Sequence, residues 1–119
     1  MLSKSFRLTA GDGFRRAVRD GRRSGGHTLV LHLRRPDGES LEVPGLAGPP
    51  TVGFVVSKAV GNAVVRNRVK RRLRHLCAQR VHRLPAGSTL VVRALPSAAT
   101  ASSTTLGAEL DKGLERVTR

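Results

Sequence analysis

From Arg66 to Arg74 the chain reads Arg-Asn-Arg-Val-Lys-Arg-Arg-Leu-Arg, and in this stretch only Asn67, Val69 and Leu73 are uncharged. At helical spacing so many like charges repel one another unless an anion lies against them. Guanidinium groups bind phosphate oxygens through two parallel hydrogen bonds and stack on bases, so the chemistry on offer is the binding of a polyphosphate backbone. The bland alternative is a solvated helix face, but such faces interleave Glu with Lys or Arg, and no Asp or Glu occurs between Thr51 and Thr105. Just upstream, Ser57, Lys58 and Asn62 add a hydroxyl, a cation and an amide beside this run.

Chemistry of other kinds is thinly provided. The acidic residues sit mainly in one loop and the last helix, as Asp37, Glu39, Glu42, Glu109, Asp111 and Glu115. No carboxylate cluster for metal-assisted hydrolysis, nucleophile elbow or phosphate loop is legible, so no catalytic residue and no metal ligand is assigned. The single cysteine, Cys77, cannot form an internal disulfide and reads as a small core residue. His75 and His82, two turns apart on an extended helix, read as a solvated pair rather than a metal site.

Whole-chain properties point the same way. A net charge of +14 and a pI near 11.9 over 119 residues exceed what solubility requires and imply a polyanionic partner, nucleic acid ahead of a membrane surface. Arginine outnumbers lysine, which suits RNA and is equally compatible with a genome-wide composition bias. The length fits one domain spanning residues 1–119 with a modest core. There is no signal-peptide core and no apolar segment near the ~20 residues needed to span a bilayer, so the expected location is the cytoplasm.

The elements that must hold the basic run follow from periodicity and punctuation. Residues 1–8 read as a flexible basic arm. Thr9 is a plausible N-cap for a helix from about Ala10 to Asp20, ended by Gly21, with Phe14, Ala17 and Val18 on one side. His27–Arg34 reads as a strand, 36–50 as an exposed loop with a short extra strand at Ser40–Val43, and Thr51–Ser57 as a second strand. The basic helix runs from about Asn62 to Val81. Its residues Val65, Val69, Leu73, Leu76 and Cys77 form an apolar stripe that must face a sheet, with Arg66 and Arg72 flanking it. Ser88–Ala94 reads as a central strand, 96–102 as a linker, and Ser103–Val117 as the closing helix. The fold class is α+β: a single-domain α/β sandwich with a small mixed central sheet in α-β-β-β-α-β-α order. On residue types alone, the surface formed by Phe14 and Val18 against His32 reads as core, because base-stacking platforms normally use several aromatics.

Val56-Ser57-Lys58, Gly61-Asn62-Ala63-Val64 and Arg66-Asn67-Arg68-Val69-Lys70-Arg71 together resemble the signature of the protein subunit of bacterial ribonuclease P. The flanking first helix, the strand before a variable loop and the strand before the closing helix agree, so the resemblance covers essentially the whole chain. It implies a fold like the second domain of ribosomal protein S5, with the basic helix in a left-handed βαβ crossover, the opposite of the general handedness rule. It implies a ribonucleoprotein, one protein per RNA, in which the RNA subunit hydrolyses the phosphodiester with Mg2+ held mainly by RNA and none by the protein alone. The protein would bind that RNA and the 5′ leader of precursor tRNA.

Carried over by position, Ser57, Lys58, Asn62, Arg66, Asn67, Arg68, Lys70, Arg71 and Arg74 would contact the catalytic RNA. Phe14, Val18, His32, Val91 and Arg93 would line a cleft for the leader. Val18 stands where many relatives carry a second aromatic and His32 where some carry tyrosine, so stacking would be weaker here, with Arg93 as a compensating cation. The alternative is a ribosomal or other structural RNA-binding protein. A DNA-binding regulator lacks its helix-turn-helix pair, and a protein-only nuclease lacks its acidic cluster.

Overall fold

Alternation of leucine and valine with small or polar residues makes strands that show one face to a core, and here the sheet uses both faces. The computed structural model describes residues 12–35 and 48–119, with residues 12–14 described as helical backbone only. Helix α1 spans Asp12–Asp20, and strands β1 and β2 span Arg22–Gly25 and Leu29–Arg34. Strand β3 covers Thr51–Val55, helix α2 Ala63–Ala78, strand β4 Thr89–Ala94 and helix α3 Ser103–Val117. The sheet order is β1-β2-β4-β3, with β1·β2 and β2·β4 antiparallel and β3·β4 parallel. Helix α2 is the connection between the two parallel neighbours.

The α+β order expected from the sequence is present, but its third strand lies elsewhere. Arg22–Gly25 pairs with β2 as an edge strand, although its Arg-Arg-Ser-Gly composition carries no strand signal. The proposed arm, the Thr9 cap and the short strand at Ser40–Val43 lie outside the described residues. Strand β2 starts at Leu29 rather than His27, because the backbone N–H groups of His27 and Thr28 donate to the Glu109 carboxylate (2.7 and 3.0 Å) instead of to a strand. Helix α2 ends at Ala78 rather than Val81. Beyond it the chain tightens, with Arg80 N–H donating to the Cys77 carbonyl (3.0 Å) and Leu84 N–H to that of Val81 (3.1 Å), and Leu84 docks into the core. His75 and His82 therefore do not share a helix.

One face of the sheet presents Leu29, Leu31 and Leu33 of β2, Leu90, Val92 and Ala94 of β4 and Val52 of β3. Against it pack Val69, Leu73, Leu76 and Cys77 of α2 and Leu106, Leu110, Leu114 and Val117 of α3, all in one contiguous core. Burial, only partly offset by the Arg80 charge, pushes the Cys77 thiol up to about 12, so it is an inert packing group. Gly113 lets α3 approach β2 closely, since a Cβ there would lie 2.9 Å from the Leu31 side chain. Among the described residues the other face is covered by α1, which seats Ala17 over β2 and β4 and leaves Val18 half exposed rather than packed.

Candidate nucleic-acid interface

The turn that feeds α2 fixes where its cations point. Val56 and Val60 are buried while Ser57, Lys58 and Ala59 between them are exposed, so the turn is pinned at both ends. Val60 N–H donates to the Ser57 carbonyl (3.1 Å) and Gly61 N–H to that of Lys58 (3.2 Å). A Cβ at Gly61 would sit 2.8 Å from the Val65 side chain, so this position requires glycine for the turn to close onto the first helical turn. Asn62 caps the helix, its side-chain oxygen accepting from Val65 N–H at 3.0 Å. No acidic residue occupies that first turn, so the helix dipole adds positive potential beside Lys58 and Arg66.

Burial of Val69, Leu73, Leu76 and Cys77 on one stripe forces the remaining side chains outward or to its edges. Asn67, Arg68 and Arg71 are exposed, and Arg66, Lys70 and Arg74 are half-buried. Among the described residues none of Arg66, Arg68, Lys70, Arg71 and Arg74 pairs with a carboxylate. The Arg66 Nε is buried without a hydrogen-bond partner. Arg72 differs: it donates to the Ala101 carbonyl at 3.2 Å and ties α2 to the segment before α3. The structure thus gathers Ser57, Lys58, Asn62, Arg66, Asn67, Arg68, Lys70, Arg71 and Arg74 into one turn-and-helix unit, a cationic strip with hydrogen-bond donors to spare.

The second expected group meets on the α1 side of the sheet. His32 lies opposite Val91 of β4 and Arg23 of β1, and Arg93 lies opposite Val30 of β2 and Val55 of β3, so all share one face. His32 and Val91 are buried and Arg93 is exposed. Burial, then the Arg23 and Arg93 charges, hold the His32 imidazole below its usual range and hence neutral near pH 7. The side chain of Phe14 lies outside the described residues. Arg23 was missed in the sequence; its signal, had β1 been legible, is the register that puts it across from His32.

The acids of α3 have structural partners. Glu109 accepts from the amides of His27 and Thr28 and from the Thr28 hydroxyl, holding the β1–β2 turn. Asp111 accepts from Arg80 Nε and Arg83 at 2.7 Å each. Among the described residues no group of three or more His, Cys, Asp or Glu could hold a metal ion.

A family model described as Ribonuclease P matches residues 2–118. The chain is 55% identical over 117 residues to a ribonuclease P protein component of Nocardioides sp., covering 98% of this chain and 95% of that one. It is 53% identical to the corresponding Streptomyces avermitilis protein over 118 residues, with coverage of 98% and 95%. Among solved structures, the Staphylococcus aureus RNase P protein superposes with a TM-score of 0.76 at 23% identity, covering 94% of each chain. The Thermotoga maritima RNase P protein does so with a TM-score of 0.74 at 21% identity, over 93% of this chain and 96% of that one. At these identities the two structures speak to the fold alone.

Proposed function

The chain belongs to the ribonuclease P protein component family, and from that membership we propose that its turn-and-helix strip docks it onto the catalytic RNA while the α1 face receives the 5′ leader of precursor tRNA. As a family member it is a component of ribonuclease P, acts in tRNA 5′ processing and partners the enzyme's RNA. The observation that carries the finer reading is the carboxylate-free run from Asn62 to Arg74, mounted on a helix whose other side is locked into the core. Rigid mounting matters because a pre-positioned guanidinium loses less conformational freedom on binding phosphate. An RNA oxygen reaching Arg66 Nε would also complete a donor that the fold leaves unpaired.

In this reading the protein supplies no catalytic group. Hydrolysis belongs to the RNA, with Mg2+ held by RNA, and the protein's residues bind, orient and screen phosphate charge. Ser57, Lys58, Asn62, Arg66, Asn67, Arg68, Lys70, Arg71 and Arg74 form the contact set for the catalytic RNA. Phe14, Val18, His32, Val91 and Arg93 line the leader cleft. One protein per RNA is the expected stoichiometry. The expected location is the cytoplasm; among the described residues no helix is long and apolar enough to cross a membrane.

The test is reconstitution with the cognate RNA at low magnesium. Tight association and a gain in removal of the 5′ leader are expected. Association without any gain in cleavage would favour a purely structural RNA-binding protein.

A further inference from the structure

His32 is 6% exposed, its Nδ1 has no hydrogen-bond partner, and it sits between two cations. A buried polar nitrogen left unpaired is destabilising, and a partner that supplied the missing hydrogen bond would relieve that cost. The surrounding charges are all of one sign within the sheet: Arg23 opposite on β1 and Arg93 diagonally across on β4. Neither has a carboxylate partner among the described residues. Helix α1, the other element packed on this face, brings Arg15, Arg16 and Arg19, and its Asp20 pairs with Arg19. The charges that act on the imidazole are those of Arg23 and Arg93. Among the described residues no carboxylate acts on the imidazole beside these two guanidinium groups, and the three nitrogen-bearing side chains suit an anion.

Taking the α1 face as the leader cleft, we propose that Arg23, His32 and Arg93 form a subsite for one phosphodiester of single-stranded RNA, and that filling it adds a proton to the His32 imidazole. In the free protein the two guanidinium groups and the apolar floor disfavour an imidazolium. A phosphate seated between them adds a negative charge within a few ångströms and reverses that balance, while the protonated ring offers Nδ1–H as a donor to a phosphate oxygen. Binding and protonation then favour each other, because linkage is reciprocal. The sign follows: leader affinity rises as pH falls, over the window between the free protein's value, below ~6.5, and the higher value in the complex.

The assembled protein–RNA enzyme tests this with precursor and mature tRNA from about pH 8 to about pH 5.5. The ratio of the two affinities cancels effects of the other histidines, His27, His75 and His82, on shared contacts. The ratio is expected to grow as pH falls, by up to about tenfold per pH unit at the steepest point. His32→Gln keeps a polar side chain but cannot take up the proton, and whatever its affinity at high pH its ratio is expected to show no growth at low pH. In the free chain, nuclear magnetic resonance titration of His32 with and without a short single-stranded oligoribonucleotide is expected to move upward on binding. A ratio that favours precursor but ignores pH, or a pH response that survives His32→Gln, overturns the subsite and leaves the leader cleft standing. A ratio of one at every pH overturns both.

Discussion

The two ends of the basic run have opposite fates. Between Arg66 and Arg74 the cations have no carboxylate among the described residues, whereas Arg80 and Arg83, a turn or two later, converge on Asp111 of α3. Arg80 is further tied to the Leu76 carbonyl at 2.9 Å. In the sequence both ends look alike, a string of arginines without acids. In the fold one end meets no carboxylate among the described residues and the other lies against α3, where an acid 31 residues away in the chain meets it. The same residue type is thus left without an acid at one end and serves as a structural clamp at the other, decided by what the helix packs against.

Replacing Arg66, Arg68 and Arg71 together with alanine is the strongest way to break this contrast. With about five phosphate contacts, counterion release gives a log-log salt slope of roughly −3.5 to −4.5, and losing three contacts removes about 2–3 of it. Affinity for the catalytic RNA is expected to fall roughly 100-fold at moderate salt, read by filter binding across a salt series. Thermal stability is expected to hold or rise, since like charges have been removed. A slope that does not change would take these residues out of the interface.

Asn62→Ala sharpens it differently, by loosening the mount and leaving the charges in place. Loss of the cap bond to Val65 is expected to lower stability by about 1 kcal/mol, seen in chemical denaturation. RNA affinity is expected to drop modestly with no change in salt slope, which separates positioning from charge.

The smallest effect belongs to the clamp. Arg80→Ala is expected to lower stability by up to about 1 kcal/mol, discounted because Asp111 is partly exposed, and to leave the salt slope alone. The Arg80 and Arg83 hydrogen bonds and charges outweigh desolvation and hold the Asp111 carboxyl below its usual value. Its contribution is therefore present above the ordinary carboxylate range and lost as pH falls through the lower folded value. Acid unfolding is expected to be less steep in Asp111→Asn than in the native chain. A changed salt slope in Arg80→Ala would mean that this end also binds RNA.

Much of the cationic strip was legible because it is local. Asn62 to Arg74 lies on one continuous helix, so the stripe Val69, Leu73, Leu76 and Cys77 fixes by spacing alone which arginines face out. Arg72 was harder to place, since its carbonyl partner Ala101 comes from a distant segment. The cleft was less legible. Its Arg23–His32–Val91 row crosses three strands, and the strand carrying Arg23 has no strand composition of its own. Val18 reads as an apolar partner of Phe14 by helical spacing, yet it is half exposed because α1 touches the sheet through Ala17.

By itself the sequence determined the class of partner, the element order, the basic helix and its inward stripe, since charge and period are properties of neighbouring residues. Only the tertiary structure decided which arginines Asp111 neutralises, that Glu109 delays the start of β2, and that His32 lies buried with Nδ1 unpaired between Arg23 and Arg93. The reason is physical: these are pairings between segments far apart in the chain, set by strand register and helix docking, and local periodicity carries no record of them.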